Sequence, residues 1–151
     1  MVYQYKLEPR AKIEVWSKYR PEEPKTDEGL TGYVRGRKAS SLEERFARAL
    51  DKVGNINRYW FDVEVRTPFT LPGQENKVDF FVWIGEVLHP IEIDGGFVHK
   101  SAEAKSDDLK RDAILNPIIA KTWPPALPIE RIPGFYAEDQ YTIDRIVREM
   151  I

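Results

Sequence analysis

The chain has 151 residues, 42% hydrophobic and 32% charged, proportions that fit one globular domain with a buried core. Lys and Arg total 23 and Asp and Glu total 25, so the net charge of -2 provides no global attraction to nucleic acid or to an anionic membrane. The absence of cysteine excludes disulfide scaffolds, thiolate metal sites and cysteine nucleophiles, and two histidines exclude a three-histidine metal site. The N-terminus lacks the apolar core of a signal peptide and no run is long enough to span a membrane, so we expect a soluble, intracellular (cytoplasmic) protein.

Two parts are predicted along the chain. Residues 1–39 combine one or two weakly alternating strands within 2–16 and an extended arm over 18–39 that is rich in proline, glycine and charge. Residues 40–151 form the core domain. Its first element is a helix over about 41–53, ended by Gly54, with an apolar stripe at Leu42, Phe46, Leu50 and Val53.

Three strands, a helix, a strand and a final helix follow. A half-buried strand is predicted over 59–65, with one face formed by Tyr59, Phe61, Val63 and Val65. The segments KVDFFVWI and VLHPIEID read as two strands joined by a Gly85-Glu86 turn. A second helix begins after Ser101 or Ser106 and reaches about Asn116, before Pro117; a short strand over 129–132 and a C-terminal helix follow. This order predicts an α/β fold with a mixed β-sheet core flanked by helices.

The register of the predicted hairpin can be computed. A two-residue turn makes Ile84 face Val87, and the same register puts Asp79 directly opposite Glu92. Asp94 joins the same face because strand side chains alternate with a period of two. Like charges facing each other destabilise a sheet, and a divalent cation such as Mg²⁺ or Mn²⁺ removes that repulsion. The alternative is a solvated sheet face that tolerates three charges. By the same register, His89 lies on the opposite face of the hairpin and is expected to be a core or rim residue.

The string KVDFFVWIGEVLHPIEIDGGFVHKSAEAKSDDLKRD resembles the very-short-patch-repair-like branch of the PD-(D/E)XK nuclease superfamily. The likeness covers roughly residues 40–115, and the positions that match the branch are Glu43, Asp79, Glu92, Asp94, His99, Asp108 and Arg111. It implies a restriction-endonuclease-like fold and Mg²⁺-dependent cleavage of phosphodiester bonds. The chain departs from the pattern in two respects. Asp94 stands where the wider superfamily has a lysine, and His99 follows Asp94 by five residues where four is commoner. Lys100, next to His99, is an alternative candidate for the function of that histidine.

Several of these residues also have ordinary structural interpretations. Glu43 lies three residues after Ser40, the spacing of a capping box. His99 can be a plain exposed loop residue, and Asp108 and Arg111 have the spacing of a surface ion pair.

A small basic and aromatic patch precedes the first helix. Tyr33 is followed by Arg35, Arg37 and Lys38, and such a patch either contacts a nucleic-acid backbone or is a solvated linker. Lys100 is a further candidate for nucleic-acid contact.

The sequence therefore predicts a metal-dependent endonuclease acting on DNA. Asp79, Glu92 and Asp94 would hold one or two Mg²⁺ ions, His99 would act as general base, and Arg111 or Lys100 would stabilise the charge on the phosphate. Two alternatives stay open: a catalytically inactive DNA-binding or assembly module with the same fold, and a nuclease for RNA or branched junctions. The working unit is left open between a monomer and a homodimer.

Overall fold

The computed structural model describes residues 29–54, 58–67, 76–95 and 100–150. The strands predicted within 2–16 lie outside these residues. A four-stranded sheet is the centre of the fold, in the order β3-β4-β5-β6, with β3 at Tyr59–Glu64, β4 at Lys77–Ile84, β5 at Val87–Asp94 and β6 at Glu130–Pro133. Neighbouring strands are antiparallel except β5 and β6, which are parallel. The predicted mixed sheet flanked by helices is therefore confirmed.

The hairpin of β4 and β5 has the predicted bounds and register. Ile84 faces Val87 and the pairing continues to Phe80 and Ile91. Gly85 has a φ of 64°, the positive value that the first central residue of this turn requires. His89 is buried and pairs with Val82, as predicted for the core side of the strand.

Part of the predicted extended arm folds as a small hairpin instead. Its strands are β1 at Tyr33–Val34 and β2 at Arg37–Lys38, and its turn residues Arg35 and Gly36 both have positive φ. Val34 is buried in the main core. This apolar side chain helps to fix the hairpin to the domain, together with the hydrogen bonds that the Thr31 and Gly32 amides donate to Glu44. The surrounding charges and glycines concealed this packing in the sequence.

Among the described residues, three α-helices flank the sheet. Helix α1 covers Ser41–Asp51 and has Ser40 as its N-cap. Helix α2 covers Ala102–Thr122 and has Ser101 as its N-cap, and helix α3 covers Gln140–Met150. The prediction that the second helix ends near Asn116 is wrong, because α2 continues through Pro117. Leu115 and Ile119 on either side of that proline are fully buried, and their packing offsets the cost of about 3 kcal/mol that an interior proline carries.

Each face of the sheet has its own core. On one face α1 and α3 cover a cluster that includes Phe80, Val82, Ile91 and Ile93, and on the other α2 covers a cluster that includes Phe81, Trp83 and Leu88. Among the described residues, no helix combines the length and the apolar composition needed to cross a membrane.

The alternation of side chains changes at Asp62 in β3. Tyr59 and Phe61 belong to the first core, whereas Val63 and Val65 pack in the second, so the prediction of one shared face for these four residues is wrong. Asp62 has a φ of 60°, a value that breaks the regular alternation of an extended strand.

Candidate functional site

Asp79 and Glu92 meet where the hairpin ladder is interrupted. The pairing of β4 with β5 stops at Phe80 and Ile91, one pair before these two acids. Beyond that point side chains replace backbone acceptors. The amide of Ile93 donates to Asp79 Oδ2 at 2.8 Å, and the amide of Asp79 donates to Glu92 Oε2 at 3.0 Å. The two carboxylates are therefore held side by side at the end of the hairpin, as the register predicted.

The pairing of β4 with β3 is distorted at the same level. Phe61 pairs with Phe80 and Val63 with Val78, and Asp62 lies between them, opposite Asp79, in its positive-φ conformation. Neither β3 nor β5 therefore forms regular backbone pairing with β4 at Asp79. Sheets are commonly distorted in this way next to functional sites, because the distortion changes the direction of a side chain or ends the pairing.

The pKa values of both acids are raised. Burial, followed by the negative charge of Glu92, raises the pKa of Asp79 to about 8. Burial also raises the pKa of Glu92, although Arg111 and Arg131 favour its ionised form. Without a cation between them, the pair consequently retains a proton at neutral pH. Such a carboxylate pair in a cleft is typical of metal and acid-base sites.

Lys100 and Arg111 bring positive charge to the acids. Lys100 Nζ lies 2.8 Å from Asp94 Oδ1 and 2.6 Å from Asp108 Oδ2, and thus connects the end of β5 to helix α2. Arg111 Nη2 lies 3.3 Å from Glu92 Oε2, and its Nη1 donates to the carbonyl of Lys77 at 3.2 Å. Asp108 and Arg111 therefore both face the site, each with a partner there.

Arg131 on β6 also contacts the site, although nothing in the local sequence indicates it. Its guanidinium donates to both carboxylate oxygens of Asp112 at 2.9 and 2.8 Å. It also lies 4.0 Å from Glu92, 4.0 Å from Asp94 and 3.6 Å from Asp108. The segment was predicted as a strand, but only its parallel pairing with β5, which places Arg131 beside Glu92, reveals this role.

Glu43 caps helix α1 and also lines the cleft. Its Oε1 accepts from the Ser40 amide at 2.9 Å while Ser40 Oγ accepts from the Glu43 amide at 3.1 Å, which completes a capping box. The same side chain lines the site and contributes to the raised pKa of Asp79. The cap fixes the start of α1 and thereby the position of this carboxylate.

These residues line one open cleft of about 320 Å³. Its polar lining has six acidic and three basic side chains: Glu43, Asp79, Glu92, Asp94, Asp107, Asp108, Lys100, Arg111 and Arg131. All the predicted catalytic residues that the structure describes are thus brought together. His99 lies outside the described residues.

The donor set fits a divalent cation. Mg²⁺ binds through one or two carboxylates and keeps several waters, and Asp79 with Glu92 supplies two adjacent carboxylates. Within residues 29–54, 58–67, 76–95 and 100–150, no group of three or more His, Asp or Glu side chains has an arrangement that encloses an ion. Asp94, the third expected ligand, is paired with Lys100.

The three predicted backbone-binding residues of the arm lie elsewhere, on the hairpin of β1 and β2. Arg35 donates to the carbonyl of Tyr59 at 2.5 Å and its guanidinium lies 3.7 Å from the centre of the Tyr59 ring. Arg37 contacts Asp62 at 3.4 Å, and Lys38 is exposed. Arg35 and Arg37 thus border the outer strand β3, and none of the three residues lines the acidic cleft.

No family model, curated protein or solved structure matches this chain. The resemblance to the nuclease branch therefore rests on the sequence motifs.

Proposed function

We propose that the protein is a metal-dependent nuclease that hydrolyses DNA phosphodiester bonds and has a restriction-endonuclease-like fold. The observation that carries the proposal is the pair of Asp79 and Glu92, which face each other at an interruption of the sheet inside a cleft that also contains lysine and arginine. Six acidic side chains in this cleft repel a phosphate unless cations are added, so an anionic substrate and a divalent metal are expected together.

Asp79 and Glu92 would hold Mg²⁺ or Mn²⁺. Such an ion, when bound, polarises the phosphate and lowers the pKa of a bound water. Lys100 and Arg111 would donate to the phosphate oxygens and stabilise the negative charge that develops there. Following the resemblance, an imidazole nitrogen of His99 would accept the proton of the attacking water, because imidazole in general takes up and releases protons near neutral pH.

The test is cleavage of labelled DNA with and without Mg²⁺. Single-stranded, duplex, mismatched and four-way substrates are compared, together with RNA, since the fold does not determine the nucleic acid. We expect Mg²⁺-dependent cleavage that Glu92→Gln abolishes and that His99→Ala lowers by about 10² to 10⁴. The matched control is Glu103→Gln, which removes an exposed carboxylate from the first turn of α2 and should cleave normally. Equal cleavage by Glu92→Gln and the wild type would contradict the assignment.

One observation favours a second candidate, a non-catalytic DNA-binding or assembly module. Arg111 and Arg131 already lie near Glu92, so cations of the chain itself partly compensate the acidic pair. Calorimetric titration separates the two functions: the nuclease binds Mg²⁺ or Mn²⁺ and loses that binding in Glu92→Gln, whereas the module binds DNA in EDTA and gives no metal-binding heat.

A further inference from the structure

A second concave site runs along the outer edge of the sheet. Strand β3 is the first strand of the sheet, and the hairpin of β1 and β2 lies beside it. Between them is a groove of about 380 Å³, within the range of about 300 to 1,000 Å³ that ligand sites have. It is lined by Arg35, Arg37, Trp60, Phe61, Asp62, Val63 and Glu64.

Trp60 is the main aromatic surface of this groove. Its side chain packs against Phe81, Trp83 and Trp123, with ring centres 6.2, 4.8 and 6.3 Å apart. The residue nevertheless remains 42% exposed. An indole that is fixed by three aromatic neighbours and still open to solvent is a rigid surface on which a planar ligand can stack.

Cationic groups lie along β3 beside the groove. The Arg37 side chain is 62% exposed and touches Asp62, and the Lys77 side chain is 49% exposed and lies 3.7 Å from the same carboxylate. Arg35 is held over the Tyr59 ring. A guanidinium has five N–H donors, so Arg35 and Arg37 keep the capacity to donate to a phosphate while making these contacts.

The groove adjoins the acidic cleft. Asp62, in the groove, lies opposite Asp79, in the cleft, on adjacent strands that are about 4.8 Å apart. Lys77 joins the two sites as well, because its side chain contacts Asp62 and its carbonyl accepts from Arg111. One extended strand of nucleic acid can therefore contact both.

We propose that this groove binds an unpaired nucleotide next to the cleaved bond, with its base stacked on Trp60 and its phosphates contacted by Arg35, Arg37 and Lys77. The inference rests on the proposed function, which brings a nucleic-acid strand to the cleft. An unpaired base is specified because both faces of a paired base are covered by its neighbours in the duplex. A peptide added to the edge of β3 is disfavoured, since the positive φ of Asp62 interrupts the regular backbone that such pairing needs.

The experiment measures binding of a fluorescein-labelled 12-nucleotide oligothymidylate, and of a fully paired 12-base-pair duplex, by anisotropy in EDTA. Trp60→Leu should weaken oligothymidylate binding about 5- to 150-fold, the loss expected for one stacked base. The matched control is Trp123→Leu, which removes another ring of the same aromatic cluster but one outside the groove lining, and should change binding less than twofold. Equal effects of the two variants, or equally tight binding of the duplex, would overturn the proposal.

A salt titration provides a readout that does not depend on the folding of Trp60→Leu. Replacing both Arg37 and Lys77 with Ala should lower the log–log salt dependence of oligothymidylate binding by about 1.4, or roughly 0.7 for each lost phosphate contact. An unchanged slope would overturn the proposal even if the tryptophan variant unfolds.

The two proposals fail separately. Binding that depends on Trp60 in a protein that never cleaves supports the groove and refutes the nuclease. If the protein cleaves DNA in a Mg²⁺-dependent reaction but Trp60→Leu binds oligothymidylate as tightly as the wild type does, only the groove proposal is refuted.

Discussion

Asp79→Asn tests the electrostatics of the cleft through the pH dependence of stability. The pKa of Asp79 is raised from 3.8 to about 8 by burial and by Glu92, so the folded state holds this proton more tightly than the unfolded state does. Stability from this group is therefore complete below pH 3.8 and is lost as the pH rises to about 8. Linkage gives a loss of roughly 2 to 3 kcal/mol between pH 6 and pH 9, most of it below pH 8.

The assay is urea unfolding in EDTA at pH 6, 7, 8 and 9. Asparagine keeps an acceptor for the Ile93 amide but cannot ionise, so Asp79→Asn should lack this loss and be more stable than the wild type at pH 9. Asp107→Asn, which removes another carboxylate from the same cleft, should keep the wild-type pH dependence. At pH 9, Mg²⁺ at 100 times its dissociation constant should add about 2.7 kcal/mol to the wild type and nothing to Asp79→Asn. If the wild type and Asp79→Asn lose the same stability between pH 6 and pH 9, the reasoning is refuted.

Two further substitutions test the walls of the cleft. A Cβ at residue 134 would lie 2.7 Å from Gly95 Cα and 3.0 Å from the carbonyl oxygen of Asp94. Gly134→Ala should therefore destabilise the protein by about 1 to 3 kcal/mol, measured by urea unfolding. An unchanged urea midpoint would show that the end of β5 can shift to make room. Arg131→Ala leaves the buried carboxylate of Asp112 without its bidentate guanidinium partner, and should lower the free energy of unfolding by about 3 kcal/mol. The double variant Arg131→Ala, Asp112→Ala should recover much of that loss, and additive losses would contradict this account.

The hairpin was predictable because its determinants are local. A two-residue turn with glycine first allows one register, and that register alone brings Asp79 and Glu92 together. The start of α1 was predictable for the same reason, since Ser40 and Glu43 form the capping box within four residues of sequence.

The features that the sequence did not reveal depend on distant contacts. Arg131 reaches the cleft only because β6 pairs in parallel with β5, and no local pattern gives the order of strands. Helix α2 passes Pro117 because apolar residues on both sides of the proline are buried against the sheet. The positive φ of Asp62 likewise has no signal in a sequence that alternates regularly through that position.

The interruption of the sheet explains why two facing acids are tolerated at all. In a regular ladder the carboxylates of Asp79 and Glu92 would only repel each other. Here each also accepts a hydrogen bond from a backbone amide, that of Ile93 or that of Asp79 itself, so both acids contribute to the local structure as well as to the proposed chemistry. Alanine at either position would leave an amide without its acceptor, at a cost of about 1 to 3 kcal/mol, and would mix a folding defect with a loss of activity. Asparagine and glutamine preserve the acceptor while removing the charge, which is why Asp79→Asn and Glu92→Gln are the substitutions that isolate the chemistry of this cleft.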